Sequence, residues 1–180
     1  MKFDTSCILK GEGLTLSPLV ASDYALLFKA ASDPLIWAGH PAKARYTEEV
    51  FRPYFNALLA AGGTYVIRQD ENDQVIGCSR YYVAEDAPND IAIGFTFIVR
   101  ACWGGSVNRR LKSVMMDHAF GRFDHIWLHI APDNIRSQQA AKNLGAQYNG
   151  EVEITLLGAT SRNFAYFFER DTWRAGAMTP

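Results

Sequence analysis

Leu26, Leu27, Ala30 and Ala31 recur at helical spacing behind a Ser22-Asp23 cap. They predict a buried helical stripe that Asp33-Pro34 ends, because a residue before proline is held out of the helical region. Upstream, Cys7-Ile8-Leu9 and Leu14-Thr15-Leu16 read as two short extended pieces around the bend Gly11-Glu12-Gly13. A second helix is expected from Thr47, with Glu48 and Glu49 in its first turn and Val50, Tyr54, Leu58 and Leu59 facing inward, up to Gly62-Gly63. From Thr64 the period shortens to two. Tyr65-Val66-Ile67, Val75-Ile76-Gly77 and Tyr81-Tyr82-Val83 predict a hairpin around Asp70-Glu71-Asn72-Asp73. Ile91 to Val99 is almost continuously apolar, which suits a strand covered on both faces.

The next segment, about Gly105 to Phe120, returns to helical spacing: Val107, Leu111, Val114, Met115 and Ala119 share one face, with Arg109, Lys112 and Asp117 on the other. Ile126 to Ile130 predicts a buried strand. A helix from Ile135 to Leu144 follows, capped by Asp133 or Asn134 and stopped at Gly145. Strands over Val152 to Leu157 and Asn163 to Phe168 complete the pattern. Hairpins mixed with crossovers imply an α/β (α+β) domain over 1–180, with a mixed sheet of about seven strands and about four helices on its two faces.

Composition narrows the classes. Hydrophobic residues are 48% and charged residues 21%, with a formal net charge of −1, so a disordered chain is excluded and nothing pulls the whole molecule toward nucleic acid or an anionic membrane. No apolar run reaches the ~18 residues of a membrane span, and the acid at Asp4 does not suit a secretion signal, so a cytoplasmic protein is expected. Cys7, Cys78 and Cys102 lack metal-site spacing, so neither a disulfide framework nor a bound metal is expected.

The candidate chemistry begins at Arg100-Ala101-Cys102-Trp103-Gly104-Gly105-Ser106-Val107-Asn108-Arg109-Arg110-Leu111-Lys112, which has four bases, no acid and two glycines at a helix start. Unpaired N–H groups at such a start favour a phosphate, while a tight turn beside a solvated basic face is the plainer alternative. Neither the Walker spacing nor G-x-G-x-x-G is present, which weakens ATP and NAD readings.

The second stretch is Asn134-Ile135-Arg136-Ser137, with Gly145 eleven residues after the asparagine. A strand, a W-G-G-x-x-N turn into a helix, a further strand and then N-x-R-S resembles the GCN5-related N-acetyltransferases, and within them the ribosomal-protein and peptide N-terminal acetyltransferase branch (RimJ/RimL-like). The opening Leu14-Thr15-Leu16-Ser17-Pro18-Leu19 is similar to the start of that branch, and the resemblance runs from about residue 10 to 170. It implies a mostly antiparallel sheet splayed at its centre, with acetyl-CoA lying in the splay. Phe97, Ile98 and Val99 would then pair with the pantetheine, and Arg100, Trp103, Gly104, Gly105, Ser106, Val107 and Asn108 would surround the pyrophosphate. Asn134 would bond the pantetheine arm, and Ser137 would sit near the sulfur.

Acetyl transfer to an amine requires a neutral amine, a polarised thioester and a proton for the departing thiolate. Many relatives supply that proton from a tyrosine seven residues after the asparagine, where this chain has Ala141, which leaves Ser137 as the candidate. Helix-start satisfaction is the bland alternative for Ser137. No base can be named: Asp33, His40, Glu48, Glu49, Glu85, Asp86 and Asp90 each read as surface charge or cap, and His118 and His129 as packed or hydrogen-bonded structural histidines. Tyr81, Tyr82, Tyr166, Phe167 and Phe168 read mainly as sheet packing. The expected function is acetyl transfer to a small-molecule or peptide amine, with a homodimer left open. A non-catalytic CoA-binding regulatory or scaffolding domain is the alternative.

Overall fold

The computed structural model describes residues 3–177. One sheet of eight strands has the order β1-β2-β3-β4-β5-β6-β8-β7. The strands are β1 (Leu9–Gly11), β2 (Leu14–Pro18), β3 (Thr64–Gln69), β4 (Val75–Ala84), β5 (Ala87–Ile98), β6 (His125–Ile130), β7 (Gln147–Leu156) and β8 (Ala159–Glu169). Every neighbouring pair is antiparallel except β5 and β6. That exception is allowed by the crossover through a helix between them, since parallel neighbours cannot be joined by a tight turn and need a long connection.

The described residues form six α-helices: α1 (Tyr24–Ala31), α2 (Pro34–Trp37), α3 (Glu48–Ala61), α4 (Val107–Phe120), α5 (Ile135–Asn143) and α6 (Arg170–Ala177). The two beyond the expected four are short. Pro34 ends α1 and also opens α2, because proline is tolerated at a first helical position, and the Asp33 carboxylate accepts the Leu35 N–H at 2.9 Å. The inward stripe of α3 is rotated from the expected one: Phe51, Tyr54, Phe55 and Leu58 are buried and Val50 is exposed. In α1, Leu26 likewise faces solvent while Leu27 is buried.

The sheet separates two cores. On one face Leu111, Met115, Met116 and Ala119 of α4 pack against Ile91, Ile93, Ile126, Leu128 and Ile130. On the other, α1, α2 and α3 cover Val66, Cys78 and Phe97 with Leu27, Trp37, Phe51 and Leu58. A third, small cluster of Tyr82, Ala84 and Ala92 lies apart from both, with Phe95, Trp127 and Leu156 packed against it. Lys112 breaks the expected polar face of α4, being only 6% exposed.

Candidate active site

The parallel pairing of β5 with β6 lasts for two residues, Ile91 opposite Ile126 and Ala92 opposite Trp127. Beyond Ala92 the strands part, so their C-terminal halves border an open splay. The cause lies in β5. Its register against β4 shifts between Cys78 and Arg80, and Phe95 takes the left-handed conformation at φ 52°, a bulge that bends the strand away from β6. The Phe95 carbonyl accepts from Tyr54 Oη at 3.5 Å and from Cys78 Sγ at 3.6 Å.

Past the bulge, Phe97 and Val99 turn to β4: the Phe97 carbonyl lies against Gly77, and the Val99 N–H donates to the Ile76 carbonyl at 2.7 Å. Ile98 between them therefore points its backbone to the splay, where its carbonyl accepts from the Trp103 indole at 3.1 Å. The chain then makes a 3-10 turn, Arg100–Cys102, and reaches Gly104 at φ 71°. Glycine suits that left-handed turn, and a Cβ there would meet nothing within 4 Å, so the side facing outward is open.

Helix α4 starts at Val107, two residues later than the periodicity predicts, and Ser106 makes no side-chain cap. The Arg110 N–H is the first to bond back, to the Ser106 carbonyl at 2.9 Å, and among the described residues no backbone acceptor serves the N–H groups from Gly104 to Arg109. With no acid in the first turn, the positive dipole end of this 14-residue helix is left uncompensated. Arg100 is directed elsewhere, to Asp33 at 2.7 Å. A cleft of about 490 Å³ lined by Lys29, Ser32, Asp33, Ile36, Val99 and Arg100 borders the turn without containing Gly104.

The end of β6 supplies the other expected residues. Asn134 Oδ1 accepts the Ser137 N–H at 3.3 Å and so caps α5, which leaves the amide Nδ2 without a partner among the described residues. The capped residue is Ser137. Its backbone is served by Asn134, and its hydroxyl makes no hydrogen bond among the described residues. Ala141 is fully packed in the core, so no hydroxyl comes from that position. Arg136 stacks on Trp103 at 3.8 Å from its ring centroid, tying α5 to the glycine turn across the splay.

Periodicity did not reveal the polar groups on the two faces of the splay. Beneath β5, Lys112 Nζ donates to Thr96 Oγ1 at 3.0 Å, and the Thr96 and Ser79 hydroxyls are 2.7 Å apart. No carboxylate pairs with Lys112 among the described residues, and burial pushes its pKa down to about 7. On the opposite face Arg45 stacks on Tyr54 at 3.9 Å and meets His40 Nε2 at 3.3 Å. Burial, then the Arg45 charge, holds His40 down at about 4, so it is neutral at pH 7. Asp33, Glu48 and Asp90 are occupied, with Arg100, Arg52 and the Trp127 indole respectively. Cys102 is half-buried with its thiol pKa raised by burial, the wrong direction for a nucleophile. No group of three or more potential metal ligands occurs among the described residues.

A sheet opened between two parallel strands, followed by an uncapped helix start, is the frame the sequence resemblance implies. The family model for the acetyltransferase (GNAT) domain matches residues 13–147. The chain belongs to the GNAT acetyltransferase family. It is similar to a GCN5-related N-acetyltransferase from Brucella melitensis, with TM-score 0.79, 17% identity and coverage of 97% of this chain and 83% of that one. A GNAT-family acetyltransferase from Chromobacterium violaceum gives 0.78 at 21% identity, covering 94% and 89%. RimJ of Mycobacterium smegmatis, solved with CoA-disulfide, gives 0.63 at 16%, covering 95% and 93%. No curated protein matches it by sequence. As a GNAT member the chain is an N-acetyltransferase, and no helix among its described residues is long and apolar enough to cross a membrane.

Proposed function

We propose that this GNAT protein transfers acetyl directly from acetyl-CoA to a primary amine, either a peptide N-terminus or a small-molecule amine, in the cytoplasm. The carrying observation is the run of unpaired N–H groups from Gly104 to Arg109 at the end of a strand that has parted from its parallel neighbour. Those donors hold the pyrophosphate, the Ile98 backbone and Asn134 Nδ2 hold the pantetheine, and the arm lies in the splay. Bound there, acetyl-CoA supplies an acyl group activated as a thioester. Ser137, free to turn its hydroxyl toward the sulfur, stabilises charge as the C–S bond breaks.

Thermal shift tests the binding half of this reading. Acetyl-CoA and CoA are expected to raise Tm while NAD and ATP do not, since only a ligand of the folded state stabilises it. Gly104→Glu, which places a carboxylate at the phosphate turn, is expected to remove the shift while far-UV circular dichroism stays native. A shift by NAD alone would overturn the assignment. Release of free thiol with short peptides and alkylamines tests the transfer half. Binding without release would favour the non-catalytic alternative.

Ser137→Ala and Asn134→Ala are expected to separate chemistry from binding. The Asn134 contact exists before and during reaction, so its loss weakens acetyl-CoA binding at least as much as turnover. A hydroxyl aimed at sulfur acts when charge develops, so Ser137→Ala lowers kcat by ~10-fold or more with little change in affinity. Equal kcat in Ser137→Ala and wild type between pH 7 and 9 would remove Ser137 from the chemistry.

A further inference from the structure

The structure contains a hydrogen-bonded chain that crosses the mouth of the splay. Tyr82 on β4, Ala92 on β5 and Trp127 on β6 stand in one row, the last row in which β5 and β6 are paired. The Tyr82 ring leans from that row over Gly94, where any Cβ would come within 2.9 Å of it, and reaches a residue two strands away. Its hydroxyl lies 2.9 Å from His129 Nδ1, and His129 Nε2 lies 3.1 Å from Asp86 Oδ2. The His129 side chain is 0% exposed and that of Asp86 24%, so the chain leads from the buried Tyr82 ring beside the splay to a carboxylate that water reaches.

These partners set the proton positions. An ionised carboxylate can only accept, so Nε2 carries hydrogen and donates to Asp86, which leaves Nδ1 as the acceptor for the Tyr82 hydroxyl. Burial lowers the His129 pKa against the opposing pull of Asp86, so at pH 7 the ring is neutral and able to take a proton. The groups facing it are few. Arg80 lies 5.8 Å from the Tyr82 ring centroid and is bound through Nε to the Gly62 carbonyl. Trp127 stacks parallel to the imidazole and is itself held by Asp90. No lysine or second histidine contacts the chain of bonds among the described residues.

Location decides what such a chain can do. Lys112 belongs to α4, which the glycine turn leads into and which covers the opposite face, whereas Tyr82 lies with Ala84 and Ala92 in the small third cluster, against which Phe95 and Trp127 pack. On the acetyl-transfer reading, an amine reaches a thioester in the splay from the face that α4 does not cover, which is the face that carries the Tyr82 ring.

We propose that Tyr82, His129 and Asp86 form the proton relay that neutralises the acceptor amine. This rests on the acetyl-transfer reading above. The acceptor ammonium gives one proton to Tyr82 Oη as the Tyr82 hydroxyl proton passes to His129 Nδ1, and the imidazolium is stabilised by Asp86, which opens to solvent. The neutral nitrogen forms the new C–N bond. Its second proton ends on sulfur as the C–S bond breaks, so the sum is amide, thiol and one released proton. Tyr82 is the catalytic residue of the three; His129 and Asp86 act through it.

The test is kcat/KM against pH from 6 to 10 for wild type, Tyr82→Phe and Asp86→Asn, with acetyl-CoA and two probes, a tripeptide with a free N-terminus and a simple alkylamine. Wild type is expected to be flat above neutrality until the amine itself titrates. Tyr82→Phe, which keeps the ring over Gly94, is expected to lose about 100-fold at pH 7 and to recover ~10-fold per pH unit, because the amine must then shed its own proton. The tripeptide amine, with pKa ~8, is expected to show a smaller defect than the alkylamine at ~10. Asp86→Asn should follow the same pattern less steeply. A loss independent of pH in both variants, or a Tyr82→Phe profile that overlays wild type, would overturn the relay. Acetyl-CoA protection of each variant in thermal shift confirms an intact cofactor site. Wild type that fails to acetylate either probe at any pH counts against the transfer reading itself.

Discussion

Gly77→Ala is expected to destabilise the fold by about 3 kcal/mol or more, lowering Tm by ~6–12 °C, and to abolish protection by acetyl-CoA. Gly77 pairs with Ile98 across β4 and β5, at φ 154°. An added Cβ would overlap the Phe97 carbonyl oxygen and come to 2.9 Å from its carbon and 3.0 Å from Ile98 Cα. All three obstructing atoms are backbone, so no rotamer change relieves them and β5 must move. The displaced segment carries Ile98 at the splay and leads into the Gly104 turn, so stability and cofactor affinity fall together. Urea unfolding with and without acetyl-CoA measures both. A variant that unfolds within ~2 °C of wild type would show that β5 accommodates the added Cβ without strain.

Lys112→Met is expected to act in the opposite direction, stabilising the protein by ~2–4 kcal/mol at pH 7. The ammonium is fully enclosed with one hydroxyl for a partner, and burial is the sole cause of its pKa falling from 10.5 to about 7. Between those two values the unfolded chain binds a proton that the folded chain refuses, so wild-type stability rises with pH across the window. Below the folded value both states are protonated and the penalty is at its full size. Methionine fills a similar volume without charge, and Thr96 keeps its bond to Ser79. The gain should therefore be largest at pH 7 and below and shrink toward pH 10, as urea midpoints across that range would show. A constant difference across the range would mean that Lys112 titrates normally.

Several site features were legible as runs of neighbouring residues. The W-G-G-x-x-N turn and N-x-R-S need only local geometry, a glycine that can turn and an asparagine that can cap, so they point to the same places in the fold. The stripe Val107, Leu111, Val114, Met115 and Ala119 is buried as expected, because it follows the period of an ideal helix. The same reasoning fails for Lys112. A hydrophobic period describes the average of a face, and one long side chain beside the stripe can be drawn under the sheet by a single hydroxyl without altering that average.

Local order therefore sufficed for most of the element types, for the glycine turn and for the cap at Asn134, since each depends on bonds within a few positions of chain. The splay, the rotated faces of α1 and α3, and the Tyr82–His129–Asp86 chain depend on register instead. Tyr82 and His129 are 47 residues apart, and they meet because β5 carries a bulge, a side-chain-free Gly94 between them and only two rows of pairing with β6. A tyrosine and a histidine in apolar strands look alike in sequence whether they pack or pass protons. Which one they do is set by where neighbouring strands stop pairing, a property of the assembled sheet that no single segment carries.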